Sequence, residues 1–186
     1  MDLVPTSLTD VLILTPRRFG DARGWFTETW NASRMAEAGL DLTFVQDNHS
    51  YSAAKGTLRG LHFQRPPRAQ GKLVRCSRGA ILDVAVDIRE GSSTYGRWVA
   101  VELTADNGRQ ILVPKGFLHG FVTLTDDTEV QYKCTDFYSP DHDGAVRWDD
   151  PAIGIDWGIA APILSEKDAR APLLAEIGTP FRLEAQ

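Results

Sequence analysis

The run AILDVAVDI, residues 80–88, constrains this chain more than any other stretch. Alternation at period 2 places Ala80, Leu82, Val84, Val86 and Ile88 on one face and Ile81, Asp83, Ala85 and Asp87 on the other. One face must pack on a core, while the other must tolerate carboxylates. Two arrangements satisfy that demand. Either the second face meets water, or it lines a polar cavity.

Similar β-branched or aromatic runs recur at 12–14, 25–30, 43–50, 57–64, 72–78, 97–103, 109–114, 120–125 and 129–137. Gly, Pro, Asn and Asp separate them, and sixteen Gly with ten Pro supply the turns such a chain needs. Helix signals are confined to 31–39, where Asn31 is placed to cap and Gly39 to terminate, and to 165–174. The second opens Ser-Glu-Lys-Asp, with Ser165 as cap and Asp168 three residues on, as in a capping box. No repeat, low-complexity tract or linker divides the 186 residues. The expectation is one domain over 1–186, mainly β, a double-sheet jelly roll with a few short peripheral helices.

Twenty Lys and Arg against twenty-five Asp and Glu give a formal charge of −5. That balance argues against a broad phosphate-binding surface, so nucleic acid is not an expected partner. The apolar run at 11–14 is too short to span a membrane, and no basic segment precedes it. Cys76 and Cys134 lie far apart without CxxC spacing, the usage of reduced thiols. The expected location is cytoplasmic.

Two histidines arrive in spaced frames. GRQILVPKGFLH, residues 108–119, matches G-x5-P-x-G-x2-H, the second signature of cupin jelly rolls, and directs His119 into the barrel. GTLRGLHFQ, residues 56–64, opens like the first signature, G-x5-H. Metal-binding cupins continue it with a second His and then a Glu. Here Gln64 replaces that His, and residues 65–71 hold no Glu. A transition metal normally takes three or four His or carboxylate ligands, so the expectation is a site without metal. His49 and His142 read as loop or surface residues.

Alternation along 57–64 groups Leu58, Gly60, His62 and Gln64 against Arg59, Leu61 and Phe63, unless Gly60 marks a bulge. Further on, Val130, Tyr132 and Cys134 share a face, and Lys72 opens its own strand. A lone strand His is more often structural than catalytic. One Lys, one Tyr and two His on apolar inner faces form a costly arrangement for packing alone, and together they favour chemistry.

At these residues the chain resembles the dTDP-4-dehydrorhamnose 3,5-epimerases, a family of metal-free cupins. The resemblance runs from about residue 15 to 177. It includes DARGWFTE at 21–28, FVQDNHSYS at 44–52, GTLRGLHFQ at 56–64 and GKLVR at 71–75. PKGFLHGF at 114–121, YKCTDFYSP at 132–140 and ILSEKD at 163–168 follow in order. The resemblance implies a dTDP-4-dehydro-6-deoxyhexose substrate whose C4 ketone acidifies the protons on C3 and C5. It implies His62 as the base with Asp168 as its carboxylate partner, a role that competes with the capping box. Tyr132 is then the acid on the opposite ring face, and Lys72 faces the C4 oxygen. Asp83 is the expected counter-charge for Lys72, by inference from the strand that carries it.

For binding, the resemblance assigns Arg23, Arg59, His119 and Lys167 to polar and phosphate contacts. Glu28, Gln46 and Asn48 hold nucleotide or sugar, and Tyr138 stacks on the base. Phe26 is read as a second wall. At Asp143 the family pattern has Glu, so the carboxylate is one methylene shorter here. No GxGxxG or Walker loop is present, and no cofactor is expected. The family pairs into homodimers with strands crossing between subunits, and the N-terminal strand is the candidate contact. The rival readings are an epimerase that inverts only C3 or only C5, a metal-dependent cupin, and a non-catalytic sugar-nucleotide binder.

Overall fold

A computed structural model describes residues 1–178 and 180–183. The strands in chain order are β1 (Asp2–Pro5), β2 (Leu12–Thr15), β3 (Arg18–Asp21), β4 (Gly24–Thr27), β5 (Gln46–Ser52), β6 (Leu58–Gln64) and β7 (Lys72–Arg78). They continue as β8 (Ala80–Asp87), β9 (Arg89–Glu90), β10 (Trp98–Thr104), β11 (Gln110–Val113), β12 (Phe117–Thr123), β13 (Thr128–Cys134), β14 (Asp143–Ala145) and β15 (Phe181–Arg182). Helices α1 (Ala32–Glu37) and α2 (Glu166–Ala169) are short. The architecture is the expected mainly β jelly roll. A six-stranded sheet ordered β1-β2-β11-β7-β13-β5 faces a five-stranded sheet ordered β10-β8-β12-β6-β14, both antiparallel. Among the described residues, hairpin β3–β4 pairs only with itself. No helix among the described residues is long and apolar enough to cross a membrane.

Strand β8 shows how the two faces of AILDVAVDI are used. Ile81 and Ala85 pack between the sheets with Val74, Ile111 and Val130. Val84, Val86 and Ile88 pack the other way, beneath Val146, Ile153, Trp157 and Leu174. The C-terminal segment is thus a third layer over the five-stranded sheet, and neither face of β8 is wet. Each fully buried Val or Leu there contributes roughly 1.5–3 kcal/mol. Asp83 therefore sits between the sheets, and the polar-cavity arrangement holds. Asp87, at the strand end, accepts hydrogen bonds from Arg89 Nε (2.9 Å), Ser92 Oγ (2.6 Å) and Thr94 Oγ1 (2.7 Å). Burial alone would raise its pKa, but these donors bring it down to about 2.

The simple alternation along β6 fails at Gly60. Its φ is +130°, and a Cβ there would lie 2.5 Å from Gly120 Cα. The register against β12 shifts between His119 and Phe121. This is the bulge that Gly60 permits. Arg59 and His62 consequently both reach the cavity, while Leu58, Leu61 and Phe63 join the outer core.

Helix α1 starts as expected, with the Asn31 side chain accepting from Arg34 N–H. The second helix is shorter than the expected 165–174. Ser165 caps it, but α2 ends at Ala169 because Pro172 lacks a donor and disfavours helical backbone in the residue before it. The chain resumes as a 3-10 turn at Leu174–Glu176.

Candidate active site

Two adjoining hollows open between the sheets, of about 400 and 340 Å³. His62, Lys72, Tyr132 and Lys167 line both, so they form one cleft. His62 belongs to the five-stranded sheet, whereas Lys72 and Tyr132 belong to the six-stranded one. A ring held in this cleft meets the imidazole on one side and the phenol on the other.

Backbone bonds tie Ile163 to the start of β6, and the turn into α2 that follows brings Asp168 to His62. Leu58 N–H donates to Ile163 O (2.9 Å), and Ile163 N–H donates to Gly56 O (2.8 Å). Ser165 Oγ then accepts from Asp168 N–H, opening α2 with the Asp168 side chain turned inward. Asp168 is 3% exposed, and its Oδ1 lies 2.6 Å from His62 Nε2. Burial opposes ionisation of Asp168, but hydrogen bonds from His62 and Ser165 hold its pKa below the usual carboxylate range. The helix cap and the dyad therefore coexist: the backbone N–H uses Ser165 while the carboxylate uses the histidine. With Nε2–H donated to Asp168, Nδ1 is the imidazole nitrogen left to accept a proton.

Lys72 makes no ion pair among the described residues. Desolvation lowers its pKa, against the pull of Cys134, Asp83 and Asp143. Asp83, the expected counter-charge, acts on Lys72 without a hydrogen bond to it. Both Asp83 oxygens lie 2.9–3.0 Å from His119 Nε2. His119 stands on β12 opposite Ala85, two residues beyond Asp83 on the same face of β8, and so captures the carboxylate. Asp83 acts on Lys72 only through its field, and burial pushes its own carboxyl upward. Tyr132 is half-buried, and desolvation followed by the nearby Cys134 raises its pKa, so the phenol keeps its proton.

The outer hollow holds the other expected binders. Asp143 pairs with Lys167, so the shorter carboxylate still reaches a cation. Gln46 Nε2 donates to Asn48 Oδ1 (3.1 Å), and Asn48 Nδ2 contacts Cys134 Sγ (3.5 Å). Tyr138 lies exposed at the rim. Arg59 is held by Tyr51 O (3.0 Å) and Ser52 Oγ (3.3 Å) at the inner end.

Three expected binders stand apart within the single chain. Arg23 pairs with Asp21 on hairpin β3–β4, and Phe26 is 69% exposed there. Glu28 follows the hairpin and bonds Arg34 Nη1 (2.9 Å) and Asn31 Nδ2 (3.1 Å) of the α1 region. Among the described residues the hairpin has no strand partner beyond itself, and these side chains stand away from the cleft. Ser50 lines the cleft and went unread in the sequence. Its Oγ is buried without a hydrogen-bond partner among the described residues. Its position on β5, two and four residues after Asn48 and Gln46, was the available signal.

The match to known proteins covers nearly the whole chain. A family model described as dTDP-4-dehydrorhamnose 3,5-epimerase matches residues 5–176. An enzyme of that name from Salmonella typhimurium is 55% identical over 176 residues, spanning 94% of this chain and 96% of its own. The structure of a Legionella pneumophila dTDP-6-deoxy-D-glucose-3,5-epimerase, in complex with dTDP-4-keto-L-rhamnose, matches with TM-score 0.94 at 44% identity, covering 99% of each chain. A 3′-monoepimerase from Streptomyces bikiniensis, in complex with dTDP-quinovose, matches with TM-score 0.86 at 36% identity, covering 92% of this chain and 87% of its own. The cleft, its histidine–carboxylate dyad and these likenesses agree, and the chain belongs to the dTDP-4-dehydrorhamnose 3,5-epimerase family.

Proposed function

We propose that this cleft inverts C3 and C5 of a dTDP-4-dehydro-6-deoxy-D-glucose, giving dTDP-4-dehydro-L-rhamnose. The carrying observation is the placement of His62 and Tyr132 on opposite sheets around one cavity. His62 Nδ1 takes the proton from the carbon beside the ketone, and the electron pair moves onto the C4 oxygen as an enolate. Asp168 stabilises the imidazolium that forms. Lys72 stabilises the enolate charge, which exists only along the reaction path, so its effect falls on rate. The Tyr132 hydroxyl protonates the carbon from the opposite face as the ketone re-forms, and the centre is inverted. No redox change occurs, and the reading needs no cofactor.

Arg59, Lys167 and His119 border the cleft where a diphosphate and sugar would lie, and Tyr138 offers an aromatic face to the thymine. We read the chain as a cytoplasmic single domain acting as a homodimer. The buried free thiols Cys76 and Cys134 support the location. The exposed Phe19, Trp25 and Phe26 on a hairpin without a partner support the pairing, and would carry Arg23, Phe26 and Glu28 toward a second copy. A stable monomer in sedimentation would remove that part.

Proton NMR of the reaction in heavy water tests the chemistry. Deuterium at both C3 and C5 is expected. Label at one centre marks the single-inversion alternative, for which the likeness to a 3′-monoepimerase is the supporting observation. Label at neither centre overturns the proposal.

A further inference from the structure

The position that breaks the metal-cupin signature is occupied by a buried amide, two of whose three bonds lead to one loop. Gln64 is 4% exposed and shares the cavity-facing side of β6 with His62. Its Nε2 donates to Arg68 O (2.6 Å) and Phe137 O (3.1 Å), and its Oε1 accepts from Ser139 N–H (2.7 Å). Both amide hydrogens and an oxygen lone pair are thereby used. Two more glutamines grip the same loop. Gln46 Oε1 accepts from Tyr138 N–H (2.8 Å), and Gln70 Nε2 donates to Asp136 O (2.8 Å). Residues 135–139 have no strand or helix of their own, and the rings of Phe137 and Tyr138 are both more than half exposed. Neither ring is buried in a core that could hold the segment. These side-chain bonds to four consecutive residues, 136–139, set the backbone on which Tyr138 is mounted.

We propose that Gln64 is a positioning residue that sets the nucleotide-base platform, with Gln46 and Gln70 completing the clamp. This rests on the reading that Tyr138 stacks on the base. The chemistry explains why an amide stands here. Phe137 O and Ser139 N–H are an acceptor and a donor two residues apart on one loop, and only a group that both donates and accepts satisfies the pair. A histidine in the neutral state has one donor and one acceptor, and could not also reach Arg68 O. A carboxylate would oppose two carbonyl oxygens. The amide therefore ties the platform loop to the strand that carries the base His62, fixing the distance between nucleotide and sugar ends of the site.

The test is steady-state kinetics and dTDP calorimetry on Gln64→Met, Tyr138→Ala and the double variant, each checked for a native thermal transition. Losing the central bonds should raise KM and the dTDP dissociation constant about tenfold, the effect of one to two hydrogen bonds. The value of kcat should stay within about threefold, because the reacting groups are untouched. On the Tyr138→Ala background, Gln64→Met should add less than about twofold, since its effect passes through that ring. If Gln64→Met does not fold, Gln70→Leu at the rim removes one clamp bond and should raise KM about threefold in the same direction. A folded Gln64→Met with unchanged KM, or with kcat alone reduced, overturns the clamp. Effects that multiply with Tyr138→Ala overturn it as well. Tyr138→Ala without any loss of dTDP affinity instead overturns the base-platform reading, and with it a role for Gln64 through that ring.

Discussion

Replacing Asp168 by Asn isolates the charge of the dyad from its geometry. The amide has the size of the carboxylate, and its oxygen still accepts from His62 Nε2–H across the present 2.6 Å. What disappears is the negative charge beside an imidazolium that exists only after proton abstraction. For charges about 4 Å apart at an effective dielectric near 20, the lost attraction is about 4 kcal/mol. His62 is 31% exposed and the site admits solvent, so the working figure is nearer about 3 kcal/mol. At about 1.4 kcal/mol per decade, kcat falls roughly 100-fold or more. KM should change little, because the charge removed acts on the imidazolium formed along the reaction path. The assay is initial-rate deuterium incorporation at C3, with the thermal transition recorded alongside. A folded Asp168→Asn with kcat within about threefold of the parent would refute the reasoning, since the carboxylate's charge would then play no part in the rate.

Lys72→Met should keep dTDP affinity while reducing kcat by a factor of roughly 100 to 1,000, the loss seen when one oxyanion donor is removed; calorimetry and NMR exchange rates separate the two. Gly60→Ala forces a Cβ to 2.5 Å from Gly120 Cα at a φ of +130°, so urea denaturation should register a loss of at least about 3 kcal/mol or no folded protein. Asp87 has a folded pKa depressed to about 2, so its contribution is complete above the unfolded value near 3.8 and is lost as pH falls toward 2. Asp87→Asn should remove on the order of 2 kcal/mol at pH 7 in urea melts, and the gap between parent and variant should close below about pH 3.

Much of the framework was legible because strand signals are local. The alternation of β8, the run 72–78 and the turn before His119 each appear in the structure where their residues imply. Two details lay beyond local signals for the same reason. A bulge at Gly60 was one of two readings of β6, and nothing within residues 57–64 reports the approach of Gly120 that decides for it by leaving no room for a side chain at position 60. Asp83 was named as the counter-charge of Lys72, but strand alternation names a face and not the neighbour that binds the carboxylate. The nearest donor on that face proved to be His119, from a strand 36 residues later. The second helix was overestimated for a local reason, Pro172.

By itself the sequence determined a β-rich chain without a broad basic face, and placed His62, Lys72, Tyr132 and Asp168 as the residues worth chemistry. Turn residues and period-2 alternation act over a few bonds, which is why they read directly. Tertiary structure alone decided which of these groups meet. His62 and Asp168 are 106 residues apart in the chain, and their 2.6 Å contact exists because Ile163 pairs with the start of β6 and leads directly into α2. It also left Arg23, Phe26 and Glu28 on or beside a hairpin that, among the described residues, no further strand joins. Distances of that kind come from packing across sheets, and no spacing rule within one strand contains them.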